Sequence, residues 1–131
     1  IFTWLESLEN IDLRVEILKW GLTSWLIDPD IDSGIVGRIM SRSGEVKKGE
    51  YDISFQVQLP DEWDPSIAKK NVGVTAAVET DRCHGNWVDK CNAMDMVIVP
   101  STFTKNVLKR SGTIIRTIDV IINLVFLFHL V

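Results

Sequence analysis

Two short, almost wholly apolar runs, NVGVTAAV (Asn71–Val78) and DMVIVP (Asp95–Pro100), restrict this chain more than any other feature. Each is rich in β-branched or small residues and poor in polar ones, as expected of strands buried on both faces of a sheet. Between them, Asn86–Met94 places Trp87, Val88, Cys91 and Met94 on one helical face and turns Asp89, Lys90 and Asn92 away from it. After Pro100, Ser101 reads as an N-cap. Phe103, Val107 and Leu108 then form the apolar stripe of a helix that ends at Gly112. Upstream, Ile53, Phe55, Val57 and Leu59 alternate with Ser54, Gln56 and Gln58, a period-two strand stopped by Pro60. Strand, helix, strand, helix with short links is the grammar of an α/β, Rossmann-like parallel sheet with flanking helices. Ligands of such sheets bind beyond the carboxyl ends of the strands. That rule selects Leu59–Trp63, Val78–Gly85 and Pro100–Lys105.

The rest of the chain is less regular. Phe2, Leu5 and Leu8 recur at helical spacing, and Asn10 can stop that helix. Leu13, Val15 and Ile17 alternate as in a short, half-buried strand. Residues 21–49 are rich in Gly, Ser and Asp, with one short helix expected around Ile35–Met40. Ile118–Val131 is almost entirely apolar. Its first residues suit a last strand, and it is shorter than the roughly 20 residues that a membrane span needs. The expected division is therefore 1–117 as a partial Rossmann-like domain and 118–131 as an apolar tail.

Composition narrows the function classes. The 131 residues suffice for one domain, and 46% hydrophobic content fits a buried core. A net charge of -4, with Lys47–Lys48 and Lys69–Lys70 no more than short doublets outside any aromatic-interleaved basic patch, argues against a nucleic-acid-binding stripe. Two cysteines make no disulfide framework, and the first ten residues carry no basic segment of a signal peptide, so a cytoplasmic protein is expected. No G-x-G-x-x-G opens a helix after a readable strand, which weakens a dinucleotide-dependent oxidoreductase.

One segment resembles a known family. In NVGVTAAVETDRCHGNWVDKCNAMDMVIVPSTFTKNVLKRSG, a strand runs into Glu79–Thr80 and a helix opens near Trp87. An Asp-led strand (Asp95, Val97, Val99) then reaches Pro100–Ser101, and Phe103–Thr104–Lys105 open the next helix. This arrangement looks like the middle of the N-terminal domain of GT-B glycosyltransferases of the group 1, retaining type. It covers about a third of the chain closely, with QLPDEW matching weakly. The resemblance implies the N-terminal half of a GT-B fold, incomplete here. This part forms the acceptor side of a cleft. A nucleotide-sugar donor is held mainly by a C-terminal domain, and sugar passes to an acceptor hydroxyl. The donor-binding E-x₇-E pattern does not occur after Gly112, so the chain reads as a fragment that is inactive alone. No cofactor is implied. A non-catalytic Rossmann-like module binding a ligand or partner is the alternative reading.

The resemblance places Glu79 where many relatives carry a catalytic-site His, and a carboxylate there suits orienting an acceptor hydroxyl. Thr80, Asp81, Arg82, His84, Ser101, Thr104 and Lys105 are the substrate-binding candidates. Each has a plainer reading beside it: Glu79 pairing with Arg82, Asp81 satisfying a turn, His84 as a surface histidine. Asp61, Glu62 and Asp64 read as a solvated turn, since a hard cation needs several converging oxygens. Cys83, His84 and Cys91 provide too few ligands for zinc, so no metal is expected. Trp63 and Trp87 suit either sugar stacking or burial against the sheet, and Trp4, Trp20 and Trp25 read as packing residues.

Overall fold

The computed structural model describes residues 1–18, 28–76, 80–114 and 117–121. The chain divides into two compact units, Ile1–Val46 and Lys47–Val131.

In the first unit, α1 (Phe2–Glu6) and α2 (Ile31–Ser41) are held together by Glu6. Its carboxylate accepts from Arg38 Nε at 2.9 Å and from Arg42 Nη2 at 3.4 Å. Asn10, with φ 62°, terminates the region after α1 as its residue type allows. The helix expected at Ile35–Met40 is the regular part of α2. Asp32, Ser33 and Gly34 before it have left-handed backbone, which costs a non-glycine residue about 1–2 kcal/mol. The strand expected at Leu13–Ile17 is reduced to one parallel bridge, Val15 to Ser43. Val15 finds backbone partners there, the Arg42 carbonyl and the Gly44 amide, and Ile17 is half-exposed. Trp4 is 57% exposed and is not a packing residue, while Trp20 and Trp25 lie outside the described residues.

The second unit is an α/β arrangement of four parallel strands in the order β1-β2-β3-β4: β1 (Tyr51–Val57), β2 (Ala68–Val74), β3 (Met96–Val99) and β4 (Ile118–Val120). The helices α3 (Gly85–Ala93) and α4 (Thr102–Arg110) connect the last three strands. Strands that advance in one direction through right-handed crossovers keep their helices on one face. Accordingly Cys91 of α3, Met94 at its C-cap and Leu108 of α4 pack with Val97, Val99 and Ile118 in one core cluster. The expected strand 71–78 begins and ends earlier than its apolar run, and 77–79 lie outside the described residues. Ile118, the first residue of the apolar tail, is buried in β4, and 122–131 lie outside the described residues.

The link from β1 to β2 departs from the expected grammar. A parallel crossover usually needs a helix. Here residues 58–67 contain only a 3-10 turn, Pro60–Glu62. Trp63 takes the place of the missing helix. It is 1% exposed, and its ring lies so close over β2 that a Cβ added to Gly73 would meet the indole at 2.6 Å. Its Nε1 donates to the Gln56 carbonyl at 3.0 Å, and Lys90 Nζ of α3 donates to the Trp63 carbonyl at 3.0 Å. Lys90 is therefore engaged with this link rather than turned away.

β1 also shows its faces the opposite way from a simple reading of its alternation. Gln56 is buried and Ser54 half-buried, whereas Ile53 is 58% and Val57 40% exposed. The polar face turns inward because its hydrogen bonds are met there. Gln56 Nε2 donates to the Asp64 carbonyl, and Gln56 Oε1 accepts from the Asp64 amide, both at 2.7 Å. Ser54 Oγ accepts from Gln56 and donates to Asn71 Oδ1 at 2.8 Å. Asn71, itself buried, also accepts from the Ala68 amide and donates to the Pro65 and Ala68 carbonyls. A buried amide with both ends satisfied carries no desolvation penalty of the kind an orphaned one does.

Candidate functional site

The carboxyl ends of the strands present residues 58–63, 75–76, 100–105 and 121. Ser101 performs the role its position suggests. Its Oγ accepts from the Thr104 amide at 3.1 Å and caps α4. Thr104 Oγ1 lies 3.1 Å from Ser101 Oγ, and Thr104 is buried at 3% exposure, so its hydroxyl steadies the cap. Lys105 in the same turn is half-buried. Phe103 is 54% exposed. The apolar stripe of α4 thus consists of Thr104, Val107 and Leu108, without Phe103, because the side chains meeting the sheet follow the i, i+3, i+4 rows.

The segment Thr80–His84 holds the other candidates. Thr80, Asp81, Arg82 and His84 are all exposed. The turn there is closed by Thr80, whose Oγ1 donates to the Arg82 carbonyl at 2.7 Å. His84 is the N-cap of α3, its Nδ1 accepting from the Asn86 amide at 3.3 Å. Glu79, the catalytic candidate, lies outside the described residues.

The structure does not gather the described candidates at one point. The Cys83 amide donates to Ser111 Oγ at 2.9 Å, and Ser111 is the C-cap of α4. Ser101 caps the opposite end of that helix, about 15 Å away at 1.5 Å per residue, and Lys105 in its first turn is about 9 Å away along the axis. Two clusters result: Ser101, Thr104 and Lys105 in the first turn of α4, and Thr80–His84 beside its last turn.

The acidic groups near the rim serve local structure. Glu62 Oε2 accepts from the Leu59 amide at 3.0 Å. Asp64 accepts from the amide and hydroxyl of Ser66 and pairs with Lys48; the Lys48 ammonium, then the Ser66 bonds, hold its carboxyl far below the usual range. Asp95, the leading acid of the β3 motif, accepts from Lys70 Nζ and from the Asn71 amide, both at 2.9 Å. These bonds, Lys70 foremost, depress its pKa. Among the described residues no group of three His, Cys, Asp or Glu is placed to hold a metal ion.

Both cysteines are free. Burial raises the thiol pKa of each, that of Cys91 to about 12 with a smaller contribution from nearby Cys83. Neither therefore has the thiolate character of a nucleophile. Trp63 is wholly covered and offers no face to a sugar, while Trp87 is half-buried.

The residues whose structural roles the sequence did not reveal are Asn71 and Gln56, in the buried hydrogen-bond network, and Gly73, under Trp63. The signal available was a polar pair at period two, Ser54 and Gln56, beside an Asn at a strand position. No helix among the described residues is long and apolar enough to cross a membrane. Comparison with family models, with characterised proteins and with solved structures finds no match to this chain.

Proposed function

We propose that this chain contributes the acceptor side of the cleft of a GT-B-type glycosyltransferase. In this reading sugar passes from a nucleotide-sugar donor, held mainly by a second domain, to an acceptor hydroxyl. The observation that carries the reading is the passage from β3 to α4. The segment DMVIVPSTFTK, on which the family resemblance rests, forms a strand entering a capped helix at the carboxyl end of a parallel sheet. Such an end suits a hydroxyl or an anionic group, since the first-turn amides and the helix dipole face it. Ser101 and Lys105 are then the first contacts, with Thr104 holding Ser101 in place. Glu79, Thr80, Asp81, Arg82 and His84 are proposed for the opposite flank, Glu79 orienting the acceptor hydroxyl. A cytoplasmic setting accompanies the proposal, since nucleotide-sugars are polar intracellular substrates in this class of reaction.

The test is saturation-transfer NMR of the chain against a panel of mono- and disaccharides and against nucleotide-sugars. Saccharide binding weakened at least several-fold by Lys105→Ala, with little nucleotide-sugar binding and no measurable transfer by this chain alone, is the expected result. A folded chain that binds no saccharide, or one that transfers sugar unaided, overturns the assignment to the acceptor side.

A further inference from the structure

We draw no further inference here: the strongest candidate, the apolar face of the sheet opposite α3 and α4 that carries Phe55, Val72, Val74 and Ile98, supports nothing more, because no described residue shows what covers it.

Discussion

The two ends of the sheet are attached to their surroundings by different physics. At β3 and α4 the join is apolar: Val97, Val99, Val107 and Leu108 are all completely buried, and Ser101 only sets where the helix starts. At β1 and β2 the join is a tryptophan pressed on a glycine and a chain of buried amides, Gln56, Ser54 and Asn71. Apolar packing tolerates small displacements, whereas a buried amide network is either satisfied or costly. A ten-residue link (58–67) without a helix is therefore held by specific hydrogen bonds, while the helical link relies on burial.

The largest expected effect breaks the first region. Trp63→Ala removes the cover of β2 and the bond to Gln56, and costs about 3–5 kcal/mol in denaturant unfolding. A loss below about 1 kcal/mol means the link is held by its amides alone. Gly73→Ala approaches the same contact from the sheet side. The added Cβ collides with the indole ring, which is not the flexible end of a side chain, so a cost of about 1–3 kcal/mol is expected. The double variant Trp63→Ala, Gly73→Ala sharpens the comparison, since without the ring the methyl group added at Gly73 carries little further cost.

In the second region Ser101→Ala removes only the cap, and calorimetry is expected to show a loss of about 1 kcal/mol with the packing intact. A loss of about 3 kcal/mol or more gives this end of the sheet the same dependence on polar bonds as the other.

The smallest effect concerns Asp95, which joins β2 to β3. Its folded pKa lies below its unfolded value, so the carboxylate's contribution is present above about pH 4 and is lost as pH falls through the depressed value. Asp95 is partly exposed, which confines its pair with Lys70 to a fraction of a kcal/mol. Asp95→Asn should flatten the acid limb of the stability curve slightly. Asp52 and Asp64 retain the rest, because their carboxyls are held low by Lys69 and Lys48.

Much of the second unit was legible in the residues. The strand 95–100, the helix opening at Ser101 and its end at Gly112, whose φ is 111°, follow from local chemistry: an apolar run, a hydroxyl cap and a residue free to turn left-handed. The α3 face of Val88, Cys91 and Met94 was equally plain from its period. In the candidate site Ser101 was readable for the same reason, as a cap visible from four consecutive residues. The separation of Thr80–His84 from Ser101–Lys105 was not, because the bond from Cys83 to Ser111 joins positions 28 residues apart.

By itself the sequence determined what neighbours along the chain decide: the parallel α/β grammar, the helix caps and the two buried strands. Only the tertiary structure decided which face of β1 turns inward. The alternation of Ile53, Phe55 and Val57 with Ser54 and Gln56 marks two faces but does not say which is covered. That choice depends on Asp64, Pro65 and Asn71 presenting partners for the polar side chains, and on Trp63 filling the space above Gly73. Hydrophobic periodicity encodes a difference between faces. Burial follows from which face finds its hydrogen bonds and its cover.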